Sequence, residues 1–210
     1  MQSVLLRKLA AVALFAAILM ACNLAQQVKK GIEAAAKPTV LTSADGKYQL
    51  TIPAGWRADS QLHDDAGLKA SNRIKEAYVV VISESREDFT DDMTLESFTK
   101  ITRDAMLKNL GSPDSAAPTP TVIGDYPALR YELQGVVSNV KVIYINTTVE
   151  TPSGFHQILA WTLPSRLNQQ RNVLQEVTGS FREIGAGASR KGTPSPPSMP
   201  ARNGAKGKKE

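Results

Sequence analysis

The sequence predicts an α+β domain in which an antiparallel sheet is flanked by helices. Strand-forming segments, in which apolar residues alternate with polar ones or β-branched residues follow one another, make up most of the periodic sequence. Only two segments, entered at Thr94 and Ser165, have the apolar spacing of an amphipathic helix. These strand and helix patterns extend over residues 39–184. About 145 residues can bury one core, so we predict a single domain there.

The first strands are predicted from alternation and from β-branched runs. Residues 47–52 alternate apolar and polar side chains and end in a Pro-Ala-Gly turn before Trp56. Residues 68–74 are a weaker strand candidate. Residues 77–83 (AYVVVIS) are continuous and β-branched, which is typical of a central strand.

The first helix is predicted to begin after Thr94, a suitable N-cap, and to end near Leu110-Gly111. Its apolar face comprises Leu95, Phe98, Ile101, Ala105 and Met106. The proline-rich residues 112–120 (SPDSAAPTP) that follow are predicted to form a loop.

Strands dominate the second half of the domain as well. Residues 121–123 are predicted as a short strand and residues 124–127 as a turn. Three longer strands follow at 128–137, 141–150 and 155–163, the last two joined in a hairpin by a turn containing Pro152 and Gly154. The second helix is predicted to be capped by Ser165 and to end by Gly185. Its buried stripe comprises Leu167, Val173, Leu174, Val177 and Phe181.

The N-terminal residues have the pattern of an export signal. A basic start is followed by an apolar run at residues 9–20, which is too short for a membrane span of roughly 20 residues. The ending Leu19-Met20-Ala21-Cys22 resembles the lipobox of bacterial lipoproteins. We therefore expect residues 1–21 to be a signal peptide, acyl chains on Cys22 to anchor the chain in a membrane, and residues 22–38 to be a tether. The alternative is an ordinary secretory signal followed by a chance cysteine.

Asn23 bears on which membrane is used. An aspartate at this position often marks retention at the inner membrane in enterobacteria, and Asn23 stands there instead. The expected location is therefore the cell envelope, at the periplasmic face of the outer membrane.

Basic residues are concentrated at the two ends of the chain. Two of the 25 basic residues lie in the signal and six in residues 185–210, which leaves 17 in the rest of the chain against 19 of the 20 acidic residues. The domain therefore has no basic excess, and we expect it to bind no nucleic acid. Residues 185–210 are rich in Gly, Ala, Ser, Pro, Lys and Arg, a composition that predicts a disordered tail.

Several short motifs in the domain resemble the PsbP-like superfamily, which includes the bacterial DcrB-like lipoproteins and the Mog proteins. They are Tyr48-x-Leu50-x-Ile52-Pro53-x-Gly55-Trp56, the helix entry at Thr94, Ile123-Gly124-x-Tyr126-Pro127-Ala128, and Ser180-Phe181-Arg182. The resemblance covers residues 47–183. It implies an α/β/α sandwich and a binding or assembly role without catalysis, and it transfers no functional site, because the matches are turn and core positions.

The sequence offers little for catalysis. Its single cysteine is assigned to lipid, its only histidines are His63 and His156, and it has no Gly-x-Ser-x-Gly elbow. His156 follows a turn at the start of a strand, where a surface or edge position is at least as expected as a buried one. We predict no enzyme and no cofactor. A hydrolase would require His156 to meet a serine and a carboxylate in a pocket.

Two acidic clusters have side chains suited to metal or acid–base sites, but we interpret both as solvated surface. The first is His63 with Asp64 and Asp65. The second comprises Glu84, Glu87, Asp88, Asp91 and Asp92. We predict no metal site. The sequon at Asn146 falls within a predicted strand and is interpreted as coincidence.

Trp56 and Trp161 are the remaining residues that suggest ligand contact. An exposed tryptophan can anchor a ligand, but one after a strand turn and one within a strand are more often part of the core.

The sequence leaves three functional hypotheses. The first is a membrane-anchored, non-enzymatic envelope module that binds a protein partner or a small ligand. The second is a basic tail at residues 185–210 that binds an anionic polymer. The third is an unrecognised hydrolase.

Overall fold

The structure is a computed structural model and describes residues 37–184. The predicted signal peptide (1–21), the tether (22–38) apart from its last two residues, and the tail (185–210) lie outside the described residues. The predictions about Cys22 and about the tail therefore remain predictions.

The described residues form eleven strands and two α-helices. The strands are β1 (Thr39–Thr42), β2 (Tyr48–Ile52), β3 (Arg57–Ala58), β4 (Leu68–Asn72), β5 (Ala77–Ser85), β6 (Gly111–Ser115), β7 (Thr119–Ile123), β8 (Tyr126–Val137), β9 (Val140–Thr151), β10 (Gly154–Thr162) and β11 (Arg182–Glu183). The helices are α1 (Leu95–Asn109) and α2 (Leu167–Gly179).

The strands form two antiparallel sheets. The larger has eight strands, in the order β3-β4-β5-β10-β9-β8-β6, with β7 also paired to β8. The predicted hairpin of β9 and β10 is present, and β10 is central because it also pairs with β5. The strand predicted at residues 47–52 lies in a separate three-stranded sheet, β1-β2-β11.

The two helices pack on opposite faces of the large sheet, so the predicted α+β class and α/β/α sandwich are confirmed. The main core joins α2 and the small sheet to one face of the large sheet, and Leu50, Val79 and Phe181 are fully buried there. On the other face, α1 is held at its N-terminal end by Phe98 and Phe155. Alternation of side chains along β5 and β10 supplies both cores, because successive residues of a strand point to opposite faces.

The prediction of a loop at residues 112–120 is wrong in part. Residues 111–115 form β6 and residues 119–123 form β7, both on the outer side of β8. Pro113 and Pro120 lie within these strands. Proline lacks the N–H that a central strand needs but is compatible with an edge strand, where it also discourages pairing with another chain.

The structure confirms the cap of the first helix and corrects that of the second. Thr94 Oγ1 accepts a hydrogen bond from the Ser97 N–H at 3.1 Å. Ser165 lies instead in a 3₁₀ turn (Pro164–Arg166), and α2 begins after Arg166 without a side-chain cap. The helix also ends earlier than expected, at Gly179, although Phe181 beyond it is fully buried.

Only part of the apolar face predicted for α1 is buried. Leu95 and Phe98 are buried, whereas Ile101 and Ala105 are exposed to solvent. Thr99 is buried in the next turn of the helix and contacts Thr148 of β9. Ile101 and Ala105 of α1 therefore expose apolar surface to solvent.

Candidate functional site

The predicted anchor residue, Cys22, lies outside the described residues. Within residues 37–184, neither helix is long and apolar enough to cross a bilayer.

His156 is fully buried, so the expectation of a surface or edge position is wrong. It lies on central strand β10, and its ring centroid is 4.7 Å from that of Tyr48 and 5.0 Å from that of Phe181. Burial of the imidazole lowers its pKa from 6.5 to about 4, because the charged form would lose its hydration. The ring is therefore neutral at physiological pH.

The hydrogen bonds of His156 are to hydroxyl groups. Its Nδ1 lies 2.9 Å from Ser83 Oγ, and its Nε2 lies 2.8 Å from Thr151 Oγ1. No carboxylate within residues 37–184 is hydrogen-bonded to this ring. A Ser–His pair that lacks the third, orienting group and has a fully buried imidazole does not fit the arrangement that acyl transfer requires.

His63 and its neighbours are held by backbone contacts. The Asp65 N–H donates to His63 Nδ1 at 3.2 Å, and the His63 carbonyl accepts from Lys69 Nζ at 2.8 Å. The side chains of Asp64 and Asp65 are exposed. Among the described residues, no group of three or more His, Cys, Asp or Glu side chains is placed to hold a metal ion.

The acidic segment before α1 contributes to local structure. Asp88 Oδ2 accepts from the Ser85 N–H at 3.2 Å in a capping box, and Asp92 accepts from Thr90 Oγ1 at 2.6 Å. Glu84, Glu87 and Asp91 are exposed. This matches the interpretation of the segment as solvated surface.

Trp56 and Trp161 have different environments. Trp56 is buried in the main core, as expected. Trp161 is only partly buried and lies on the α1 face of the sheet, where its ring stacks on Tyr78 at 5.2 Å and lies 5.8 Å from that of Tyr144. Asn146 on the same face is fully buried, so the sequon is inaccessible in the folded domain.

The most ligand-like feature of the described residues is a groove between α1 and the large sheet, which we call the α1 groove. Its floor is formed by Ile82 of β5, Tyr144 of β9, and Gln157 and Leu159 of β10. Its volume is about 420 Å³, within the range of small-molecule sites.

The walls of the α1 groove come from three segments. One face of α1 contributes Ile101, Ala105 and Met106. Val137 of β8 lines one end of the groove, and His63, in the loop between β3 and β4, lines the other. Ile101 is 56% exposed and Val137 is 40% exposed, so the rim is apolar as well as the floor.

Close contact at the end of α1 fixes the width of the groove there. A Cβ on Gly135 of β8 would lie 2.9 Å from Leu110 Cβ and 3.2 Å from the Gly111 carbonyl oxygen. The absence of a side chain at Gly135 therefore lets the helix end meet the sheet.

A polar cluster lies behind Met106 in the floor of the groove. Tyr131, Asn146 and Gln157 are all buried, and the side chain of each has a polar group directed at the Met106 sulfur. Burial raises the pKa of Tyr131 and of Tyr144, so both phenols stay protonated and neutral.

Sequence reasoning missed this site because the apolar face of α1 was assigned entirely to the core. One available signal was Asn146 and Gln157, two amides within strands otherwise rich in Val, Ile and Thr. A buried amide in a central strand requires hydrogen-bond partners and so indicates a polar feature in the core.

Comparison with known proteins bears on the fold. No protein-family model matches the sequence, and no curated protein matches it either. The solution structure of cyanobacterial PsbP (CyanoP) from Synechocystis sp. PCC 6803 has a TM-score of 0.53 at 12% sequence identity, over 70% of this chain and 93% of that one. The crystal structure of LpqN, described as involved in cell envelope biogenesis of Mycobacterium tuberculosis, has a TM-score of 0.51 at 15% identity, over 70% of this chain and 90% of that one.

These structural similarities agree with the resemblance carried by the sequence motifs. Both structures are matched over nearly their whole length, although the sequence identities are low. The described part of this chain has the PsbP-like fold.

Proposed function

We propose that this chain is a membrane-anchored lipoprotein of the bacterial cell envelope, and that its PsbP-like domain is a non-enzymatic binding module. The α1 groove is the binding site. Acyl chains on Cys22 hold the domain near the membrane and so raise its local concentration at its partner or ligand.

The observation that carries the proposal is the open apolar groove with its exposed rim. Ile101 and Val137 expose apolar surface beside a concave site of about 420 Å³. Soluble domains rarely leave large apolar patches uncovered unless those patches bind something. The geometry of His156 and of the acidic clusters supports a binding function over a hydrolytic one.

The envelope location is supported by the lipobox and by the fold. LpqN, a protein of similar fold, is described as involved in cell envelope biogenesis.

The test of the anchor is the intact mass of the membrane-extracted chain beside a Cys22→Ser variant. We expect a chain that begins at Cys22 and is heavier by its acyl groups, and we expect the variant to leave the membrane fraction.

The test of the groove is site-specific photo-crosslinking in intact cells. A benzophenone amino acid at Ile101 is compared with the same group at Ile74, which is 94% exposed on the β4–β5 turn, away from the groove. We expect a discrete adduct, of protein or lipid, from position 101 alone. Equal labelling from both positions would remove the groove as the binding site.

The basic tail is a second candidate, favoured by the six basic residues within 185–210. Binding to an anionic polymer releases counterions and weakens steeply with salt. Deletion of residues 185–210 should then reduce salt-sensitive retention on anionic polymer while leaving the crosslink at Ile101 unchanged.

A further inference from the structure

We propose that the α1 groove binds an uncharged amphiphile, an alkyl or acyl chain with a hydroxyl or amide head group, whose head displaces Met106 from the polar cluster in the floor. This inference rests on the proposed function, because it assigns a ligand class to the same site. It follows from the hydrogen bonding of the cluster, the charge of the lining and the shape of the groove.

The first observation is a set of donors that share a poor acceptor. Met106 Sδ lies 3.2 Å from Asn146 Nδ2, 3.5 Å from Gln157 Nε2 and 4.0 Å from Tyr131 Oη. A thioether sulfur is only a weak acceptor. Two buried amide groups are therefore directed at an atom that satisfies neither of them well, and an oxygen at this position would make stronger hydrogen bonds.

The second observation is an unused acceptor in the same cluster. Asn146 Nδ2 also donates to Tyr131 Oη at 2.6 Å, but Asn146 Oδ1 is buried and has no hydrogen-bond partner among residues 37–184. An unpaired buried polar atom is unfavourable, because it has lost its hydration and gained no hydrogen bond in return. The cluster thus offers donors and one acceptor, which matches a head group that both accepts and donates. Hydroxyl and amide groups do both, whereas a carboxylate only accepts.

The third observation is that the lining carries no formal charge except the ionisable ring of His63. No Lys, Arg, Asp or Glu lines the groove. A carboxylate head group placed at the buried cluster would have no direct ion-pair partner, because the Arg103 guanidinium lies over the Tyr131 ring, 5.8 Å from its centroid, and is hydrogen-bonded to Ser115. Burying a charge without a direct partner is strongly unfavourable. The lining therefore selects an uncharged head.

The shape of the groove selects the body of the ligand. From Ile101 to Asn109 the groove follows α1 for about 12 Å, the length of an extended chain of about ten carbons. Ile82, Tyr144 and Leu159 line the groove with apolar surface along this length. Met106 can leave the cluster readily because its side chain is unbranched and flexible.

The experiment uses the full chain labelled with ¹³C at the methionine methyl groups and titrated with 1-decanoylglycerol below its aggregation threshold. Decanoate, with the same chain and a charged head, is the matched probe. The Met106 methyl signal is assigned with a Met106→Leu variant. We expect 1-decanoylglycerol to shift the Met106 signal and leave the other methionines unchanged, with a Kd at least about tenfold lower than that of decanoate.

Two further variants locate the binding. Ala105→Trp places a large side chain in the groove and should abolish the shift, whereas Ala117→Trp, on an exposed alanine outside the groove, should leave it intact. Met106→Ala removes the side chain that occupies the cluster and with it the reporter methyl group, so its affinity is measured beside the parent chain by calorimetry. We expect the variant to bind 1-decanoylglycerol several-fold more tightly. Equal binding by both tryptophan variants, tighter binding of decanoate, or no shift at Met106 would each overturn the assignment.

The two levels of the proposal fail separately. If the crosslink from Ile101 persists but 1-decanoylglycerol does not bind, the groove remains the binding site and the ligand class is wrong. If the crosslink is also absent, the proposed function itself fails.

Discussion

The ring of Phe98 on α1 stacks on the ring of Phe155 on β10, with centroids 5.0 Å apart and planes inclined by 18°. Phe89 meets both rings edge-on, at 5.9 Å and 5.5 Å. This cluster fixes the N-terminal half of α1 on the sheet. Ile101 and Ala105, further along the same helix, face the open groove instead. The candidate site lies along this exposed side of α1, while Met106, the next residue after Ala105, packs on the sheet.

Truncation of Phe98 should destabilise the domain far more than truncation at the groove. Phe98 is 4% exposed, and Phe98→Ala leaves a cavity in the aromatic cluster, so we expect a loss of about 3–5 kcal/mol in the free energy of unfolding. Ile101→Ala on the same helix should cost less than about 1 kcal/mol because Ile101 is largely exposed. Chemical denaturation measures both, and similar losses would contradict the open groove.

Burial of His156 should make stability depend on pH between pH 6.5 and about 4. The folded state holds the pKa at about 4, below the unfolded value of 6.5, so the unfolded chain takes up the proton first as the pH falls. The stabilisation is complete above pH 6.5, decreases below it, and reaches a total loss of about 3 kcal/mol near pH 4. Urea denaturation across this range measures the slope.

A His156→Phe variant is the control for this slope. It should be less stable overall, because Ser83 and Thr151 lose their partner, but its stability should change little across the same window. Asp59 does not interfere. Its hydrogen bond with Arg73 lowers its pKa from 3.8 to about 2, so its contribution is lost only below pH 3.8. An unchanged slope in the variant would assign the pH dependence to other groups.

Gly154 should tolerate no side chain. Its φ is +156°, and a Cβ there would overlap the carbonyl oxygen of Glu84 on β5 and lie 2.9 Å from the Arg86 nitrogen. Since these are backbone atoms at and just beyond the end of β5, Gly154→Ala must shift the β9–β10 turn, and we expect the midpoint of thermal unfolding to fall by several degrees. Gly67→Ala, where nothing lies within 4 Å, should unfold close to the parent temperature. Matching melting curves for the two variants would contradict the close approach of Gly154 to the backbone of Glu84 and Arg86.

The two predicted helix caps can be compared directly. Thr94→Ala removes an acceptor for the Ser97 N–H and should cost about 1 kcal/mol of stability. Ser165→Ala should be nearly neutral, because Ser165 lies in a 3₁₀ turn and caps nothing. Unfolding free energies of both variants test whether α2 begins where the structure places it. A larger loss of unfolding free energy for Ser165→Ala than for Thr94→Ala would indicate that Ser165 caps α2.

The sequence by itself determined the elements whose signals are local. The alternation in β2, the β-branched run in β5 and the N-cap at Thr94 each depend on residues within one strand or one turn, and all three are present. The order of these elements indicates an α+β domain, and the resemblance of the motifs to the PsbP-like superfamily implies the α/β/α sandwich. Side-chain period along a chain indicates which residues share a face, although Ile101 and Ala105 of the face predicted for α1 are exposed.

Only the tertiary structure decided what depends on neighbours that are distant in sequence. His156 is buried because Tyr48 of the small sheet and Phe181 after α2 cover this face of central strand β10. The proline-rich residues 112–120 became edge strands because β8 has an outer side to pair with. α1 meets the sheet through Phe98, Thr99 and Met106. Ile101 and Ala105 lie beside these contacts and stay exposed, which leaves the α1 groove. The distance between a helix and a sheet is set by the side chains at their few contacts, and no local period in the sequence records it.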